Sequence, residues 1–305
     1  MAAGTSLRPA LLGLAILVTA GTGGTFAQQQ DTEWHRTIDS ILGRPGAEQP
    51  GGVWRVALPR TDLKVTVDGV ELRPAFALDS WLAFQAHGNM LMVMGDLVLQ
   101  EREVAPVMRR LAAGGIEVTA LHSHLLRAEP ATVYLNVHGR GDATHLATAL
   151  RTALQESGTP LRGELAAGGG SGAADLDTGA IARALGREGR AVGGVYSVSV
   201  PRAGTIREAG SELPPALGVA TAVNFQPAGS GRVAVTGDFV LTVEEVVPVQ
   251  QALLENGIEV TALHTHMLDE QPRLFFLHFW AVGEPEALAR GLRAALGHTG
   301  SRPAG

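Results

Sequence analysis

The stretch Gly-Ile-Glu-Val-Thr-Ala-Leu-His occupies residues 115–122 and returns unchanged at residues 257–264. In each copy a second histidine follows two residues later, at His124 and His266. The same offset of 142 residues relates a repeated Gly-Asp pair, at residues 95–96 and 237–238. A constant offset of this kind indicates tandem duplication, so the chain is expected to contain two copies of one small domain.

The composition is that of a globular protein and excludes several classes. The 305 residues are 45% hydrophobic and 18% charged, which is enough apolar material for two cores. The net charge of −6 argues against nucleic acid as a partner, because phosphate binding needs a basic face. The absence of cysteine excludes disulfides, thiolate metal sites and a lipid anchor on cysteine.

The N-terminus is typical of a targeting segment. Arg8 precedes an apolar run over residues 10–20, which is too short to span a bilayer. Thr25 and Ala27 supply small residues before a cleavage point, so residues 1–27 are predicted to be a signal peptide removed before Gln28. An uncleaved anchor is the alternative. No later segment reaches transmembrane length, and the mature protein is expected to be exported, either periplasmic or secreted.

The same order of predicted elements appears in each copy. Each begins with a short helix, at residues 31–42 and 177–185, the first of them capped by Asp31 or Thr32. Apolar and amphipathic periods then predict matching pairs of strands and helices: strands 53–58 and 195–200, strands 90–99 and 232–241, and helices 103–113 and 245–255. A hairpin over residues 63–72 is predicted for the first copy only, because glycine and proline interrupt its counterpart.

Each copy ends in the order strand, helix, strand, strand, helix, preceded by extra strands. This order predicts an α+β fold with an antiparallel sheet and helices packed on one face, present as two tandem copies. Glycine and serine at residues 168–172 have the composition of a flexible linker. The predicted boundaries are residues 31–158 for the first domain, 159–176 for the linker and 177–299 for the second domain.

The histidine pairs are the most chemically distinctive feature of the repeat. Successive side chains of a strand point to opposite faces, so His122 and His124 project together, as do His264 and His266. Two imidazoles so spaced can occupy two positions on one metal ion. We therefore predict that each pair supplies metal ligands.

A third ligand is expected from the neighbouring strand. A tight turn would set His264 directly opposite His278, whereas the first copy has Asn136 at the matching position. The second copy is therefore the better candidate, with His264, His266 and His278 as ligands. Because imidazole and carboxylate are available and thiolate is not, the candidate ions are Zn²⁺, Cu²⁺, Ni²⁺ and Fe²⁺.

Other polar residues are candidates for oxygen ligands or for hydrogen-bond partners of the histidines: Asp96, Asp238, Glu270 and Asn136. Structural alternatives stay open. A buried histidine pair can hydrogen-bond across a sheet, and an aspartate after glycine can form a bulge or turn. Glu245 is interpreted as part of a helix capping box that begins at Thr242. Four other histidines are treated as surface or incidental residues: His35, His138, His145 and His298.

Several motifs together resemble the LppY/LpqO family of exported bacterial proteins, whose function is unknown. They are Gly-Asp-Leu-Val-Leu from Gly95, the repeated octapeptide, His-Met-Leu from His266 and Leu-His-Phe-Trp from Leu277. The resemblance covers nearly all of the mature chain and implies export. It also implies a histidine where this chain has Asn136, which places the site of the first copy in doubt.

Two functions of different classes follow from these observations. The first is binding of a transition metal through the histidine pairs, for metal handling or a metal-dependent reaction. The second is a non-enzymatic module of the cell envelope that binds a glycan or a protein, with structural histidines. A cleft lined by the histidines would favour the first, and burial beneath a helix would favour the second.

Overall fold

The computed structural model describes Met1, residues 23–161 and residues 176–303. The elements of the first domain are, in chain order, α1 (Gly23–Leu42), β1 (Ala47–Gln49), β2 (Val53–Pro59), β3 (Thr66–Val67), β4 (Val70–Glu71), α2 (Pro74–Ala77), β5 (Asp79–His87), β6 (Met90–Gln100), α3 (Glu101–Ala113), β7 (Glu117–His122), β8 (Thr132–Gly141) and α4 (Ala143–Leu154).

The second domain repeats this order. Its elements are α5 (Thr178–Leu185), β9 (Arg190–Val192), β10 (Val195–Pro201), β11 (Arg207–Glu208), β12 (Ser211–Glu212), a 3₁₀ turn (Pro215–Leu217), β13 (Ala220–Pro227), β14 (Val233–Leu241), α6 (Val243–Glu255), β15 (Glu259–His264), β16 (Glu270–Gln271), β17 (Phe275–Gly283) and α7 (Pro285–Leu296).

Each domain is built on a six-stranded antiparallel sheet. The strand orders are β1-β2-β5-β6-β8-β7 and β9-β10-β13-β14-β17-β15, so the two sheets have the same topology. The predicted strand-helix-strand-strand-helix order is present in both domains, and the predicted α+β fold is confirmed. In both sheets the strand that carries the first histidine of the pair, β7 or β15, is an edge strand.

The helices of each domain cover one face of its sheet, as the apolar periodicity predicts. In the first domain Leu146 and Leu150 of α4 pack with Val93, Leu97 and Leu135 of the sheet, all of them fully buried. The second domain repeats this packing with the leucines of α7. Burial of these apolar side chains is the main stabilisation of each domain.

The opposite faces of the two sheets pack against each other. At one end of the contact Met92 and Met94 of the first sheet cluster with Phe276 of the second sheet and with Met267 of the loop after β15. Another cluster joins the first-domain hairpin β3–β4 and neighbouring strands to Trp280. The molecule is therefore a four-layer sandwich of helices, sheet, sheet and helices. We call the space between the sheets the interdomain layer.

A buried ion pair lies at the same end of each sheet. Arg60 bonds the Val98 carbonyl at 2.6 Å and the Glu103 carboxylate at 2.8 Å. Arg202 repeats this with the Val240 carbonyl and Glu245, at 2.7 Å each. The glutamates also complete the capping boxes at the starts of α3 and α6, which confirms the predicted capping role of Glu245.

Several predicted details were wrong. Helix α1 begins at Gly23, eight residues before the predicted start at Asp31. The second domain keeps a short hairpin, β11–β12, despite its glycines. Strands β5 and β13 were not predicted, although buried and half-buried residues alternate along much of both strands.

Two predicted segments lie mostly outside the described residues. Of the predicted signal peptide only Met1 and residues 23–27 are described, and the cleavage point falls within α1. Most of the predicted linker, residues 162–175, is also outside them. In the described part of the chain no helix has the length and apolarity needed to cross a membrane.

Candidate metal centre

A one-residue bulge in β7 turns its histidine towards the interdomain layer. The register with β8 shifts between Val118 and Ala120, so Thr119 is the extra residue. Val118 packs on the helix side of the sheet, and in an unbroken strand His122 would share that side. The bulge reverses the alternation and pairs His122 with Tyr134 on the opposite face.

The same bulge occurs in β15 between Val260 and Ala262, and it corrects the predicted pairing. His264 lies opposite Phe276, and Ala262 takes the predicted place opposite His278. The intervening loop is not the tight turn that the prediction assumed, because β16 leaves it to pair with β11. A register shift of two residues keeps the face unchanged, so His264 and His278 still project into the same layer.

The two domains build one site between them, not one site each. Five histidines contribute one ring nitrogen apiece, and these five atoms all lie within 4.8 Å of one another: His122, His124, His264, His266 and His278. Bonds of about 2.0–2.1 Å from a transition metal to imidazole nitrogens would place opposite ligands roughly 4.2 Å apart. Inward shifts of a few tenths of an ångström would therefore bring the set around one ion.

The distances within the set show its pseudo-twofold arrangement. His122 and His264, the equivalent residues of the two copies, stack with ring centroids 3.5 Å apart. The Nε2 atoms of His122 and His124 are 2.9 Å apart. The ring of His278 stacks on His124, with centroids 3.8 Å apart. The site thus lies where equivalent strands of the two domains meet.

An aromatic ring supports the second histidine of each pair. Tyr134 stacks on His124 with centroids 3.4 Å apart, and its counterpart Phe276 stacks on His266 at 3.5 Å. The Tyr134 hydroxyl donates a 2.7 Å hydrogen bond to the Ala77 carbonyl, which fixes the ring. These contacts restrict the imidazole orientations before any ligand arrives.

The bulge threonines bind the two domains together at the site. Thr119 Oγ1 donates a 2.6 Å hydrogen bond to the His266 carbonyl, and Thr261 Oγ1 donates one of the same length to the His124 carbonyl. Each domain therefore holds the backbone of the other domain's second histidine. Sequence analysis missed these threonines, although they stand at the third position of the repeated Glu-Val-Thr-Ala-Leu-His.

Burial keeps the imidazoles neutral. It lowers the pKa of His122 to about 3 and that of His264 to about 4. Burial, followed by repulsion between neighbouring imidazoles, also holds the pKa values of His124, His266 and His278 well below the usual range. Neutral imidazole is the form that binds metals, so the whole set is available at neutral pH.

The two predicted aspartates also face the interdomain layer. Asp96 Oδ2 is 3.8 Å from His124 Nε2, and Asp238 pairs with His278 in the β14–β17 register. Burial raises the pKa of each carboxyl to about 7. Both are therefore placed to accept a hydrogen bond from an imidazole or to offset the charge of a cation.

The glycine before each aspartate allows close strand packing. A Cβ on Gly95 would lie 2.7 Å from the Trp81 carbonyl oxygen, and one on Gly237 would collide with the Ala222 carbonyl. The strands continue through both pairs without a register shift, so the alternative of a bulge or turn at these aspartates does not hold.

Glu270 is engaged with the loop that follows the second histidine pair. The Leu274 amide donates a 2.7 Å hydrogen bond to its carboxylate, and Arg273 lies 3.3 Å away. Asn136 occupies the place equivalent to His278, and it is 4% exposed. The predicted partners thus divide into three residues on the sheet strands around the site and one that orders a neighbouring loop.

The remaining histidines lie elsewhere. His145 and His298 are exposed, and His35 stacks on Trp54 with centroids 4.2 Å apart. His138 is not a surface residue: its ring lies 3.4 Å from Glu208 of the other domain and 3.5 Å from Glu117.

Comparison with known proteins gives a family but no function. The model of the Domain of Unknown Function (DUF1259) matches residues 36–156 and again residues 179–298. Among curated proteins no sequence matches the chain.

Two solved structures show a distant likeness. A trimeric bacterial microcompartment shell protein, PduB, is 14% identical over 84% of this chain and 91% of its own, with a TM-score of 0.24. EtuB from Clostridium kluyveri is 9% identical over 83% of this chain and 88% of its own, also with a TM-score of 0.24. Likenesses at this level carry no argument about function. The family match spans most of both copies, and the chain belongs to the DUF1259 family, whose domain it contains twice.

Proposed function

We propose that this protein binds one transition metal ion in the interdomain layer, through imidazoles from both domains. The observation that carries the proposal is the convergence of five neutral ring nitrogens within 4.8 Å. An all-imidazole donor set suits Zn²⁺, Cu²⁺, Ni²⁺ and Fe²⁺.

The energetics of burial favour a ligand over simple packing. The Nε2 atoms of His264, His266 and His278 are buried without a hydrogen-bond partner. Each unsatisfied buried polar atom costs about 1–3 kcal/mol of folding free energy. Histidines that served packing alone would retain this cost, whereas coordination to a metal would offset it.

The enclosure of the site favours metal handling over the transformation of a large substrate. The histidines lie neither in an open cleft nor beneath a helix, the two outcomes that sequence analysis considered. They lie between two sheets, where His266 and His278 are buried and His122, His124 and His264 are half-buried. A bound ion would link the two domains and be partly shielded from bulky molecules, which suits storage, transfer or metal-dependent structural stability.

We further propose that the protein acts outside the cytoplasm. The support is the charged and apolar N-terminal segment and the motifs that resemble the exported LppY/LpqO proteins. A non-enzymatic module for an envelope glycan or protein remains the second candidate, and no observation of the described surface favours it.

Elemental analysis tests the metal proposal. The mature protein, purified without chelator or histidine tag, is incubated with each candidate ion and freed of excess. The expected result is close to one bound ion per chain for the preferred metal, and loss of that ion in the His264→Ala/His266→Ala variant.

A matched variant controls for non-specific binding. His145→Ala/His298→Ala also removes two histidines, but both are exposed and lie outside the site. It should keep the ion, and circular dichroism should show all three proteins folded. Equal metal content in both double variants, or no metal in any protein, would contradict the proposal.

A further inference from the structure

The pseudo-symmetry of the metal centre is broken at one position. Equivalence by the repeat pairs His124 with His266 and His278 with Asn136. His278 stacks against His124 with centroids 3.8 Å apart, so that half of the site is filled by an imidazole. In the other half the shorter Asn136 stands beside His266.

A small cavity marks this half of the site. Its volume is about 10 Å³, and its lining includes Asn136, His266, Met94, Met267 and Gly218. A cavity of roughly 10–15 Å³ on this measure holds one water molecule. The cavity volume is therefore close to that of one water-sized ligand and far below that of an organic substrate.

Two buried polar atoms of the lining residues have no hydrogen-bond partner. They are Asn136 Oδ1 and His266 Nε2, on residues that are 4% and 9% exposed. The Asn136 amide nitrogen makes only a long contact, 3.5 Å, with the Gly95 carbonyl. The free amide atom is an oxygen that accepts hydrogen bonds, so a small ligand that carries a proton would satisfy it.

We propose that the bound metal keeps one coordination position open towards this cavity, and that a water-sized exogenous ligand takes it. This inference rests on the proposed metal binding. The ligand class is water or hydroxide, which would donate a hydrogen bond to Asn136 Oδ1, and fluoride is the small anion that would displace it from the metal. The histidines bind the ion. Asn136 is too short to reach it and so leaves open the position whose equivalent in the other half is filled by His278.

Electron paramagnetic resonance of the Cu²⁺-loaded full chain tests this proposal. In wild-type protein, fluoride should add a superhyperfine splitting to the copper spectrum, and ¹⁷O-water should broaden it. Acetate, which is too large for the cavity, should leave the spectrum unchanged. Asn136→His supplies the missing imidazole and should abolish the fluoride effect while the bound copper stays at the wild-type level.

Two further variants keep the test decisive. Asn136→Gln fills the cavity with the same amide group and should also suppress the fluoride effect if Asn136→His does not fold. Asn136→Ala enlarges the cavity and should retain the effect. Fluoride sensitivity that is equal in all four proteins would overturn the proposal.

Failure of the two proposals can be told apart. Wild-type protein that takes up no Cu²⁺ or other candidate ion contradicts the metal proposal, and this inference falls with it. Copper-loaded protein that ignores both fluoride and ¹⁷O-water overturns this inference alone. If Met267→Leu then restored fluoride sensitivity, a thioether would be the ligand at that position.

Discussion

The two domains share a fold and an edge-strand bulge, yet they contribute unequally to the site between them. The second domain supplies three histidines and the first supplies two, because Asn136 stands where His278 has its counterpart. The features common to both domains build the scaffold: the bulge threonine, the histidine pair and the Gly-Asp strand. The difference teaches that two identical copies would place six histidines around the site, and that Asn136 at the sixth position gives it a distinct side.

The largest expected effect is the loss of folding stability when the buried ion pair of the first domain is broken, compared with the equivalent pair of the second. The Arg60 side chain is fully buried and pairs with Glu103, whereas the Arg202 and Glu245 side chains are 9% and 14% exposed. Arg60→Ala should lower the free energy of unfolding by about 3–5 kcal/mol, because it leaves a buried carboxylate uncompensated.

Arg202→Ala should cost less, since water reaches its partner more readily. Urea unfolding followed by circular dichroism measures both losses. Equal losses would show that the different solvent exposure of the two ion pairs does not affect their contribution to stability.

A smaller effect is expected from the reciprocal hydrogen bonds between domains. Thr119→Val and Thr261→Val each remove one 2.6 Å bond to a carbonyl of the other domain. Each should lower the free energy of unfolding by about 1 kcal/mol, and by similar amounts because the contacts are equivalent. Metal affinity, measured by competition with a chelator, should fall in both. Unchanged affinity in both variants would mean that the threonines do not position the histidines.

An effect that depends on pH concerns a carboxyl that the second domain lacks. Asp79 pairs with Pro59 in the sheet, and the equivalent partner of Pro201 is Ala220. Burial raises the pKa of Asp79 to about 6, and Arg55 only partly opposes this. The folded pKa lies above the unfolded value, so the stability contributed by Asp79 is present below about pH 4 and is lost as pH rises through 6.

Asp79→Asn should therefore gain stability relative to wild type as pH rises from 4 to 7. Urea midpoints of both proteins at the two pH values measure this gain. A stability difference that does not change with pH would contradict the assigned protonation.

Much of the fold follows from local patterns in the sequence. The repeated residues reveal the duplication. The spacing of apolar residues predicts the closing helices and the buried strands β6 and β14, and capping residues mark helix ends, because these signals act over only a few residues. The five histidines were also identifiable, because pairs spaced by two on a strand share a face. Strands β5 and β13 were missed, although Val223 and Phe225 alternate with less buried residues in β13.

The union of two histidine pairs into one centre could not be predicted from either copy. It depends on the sheets packing face to face, which brings His122 and His264 into contact. It also depends on the bulge at Thr119, which reverses the side on which His122 projects. Both features depend on contacts between residues far apart in the chain, and the periodicity of a sequence does not predict such contacts.

The most direct test of the shared centre removes each domain's histidine pair in turn and measures bound metal per chain. We predict that His122→Ala/His124→Ala lowers the bound metal at least as completely as His264→Ala/His266→Ala, because both pairs serve the same ion. A first-domain variant that kept the full equivalent of metal would contradict this account, since the second domain would then hold the ion alone.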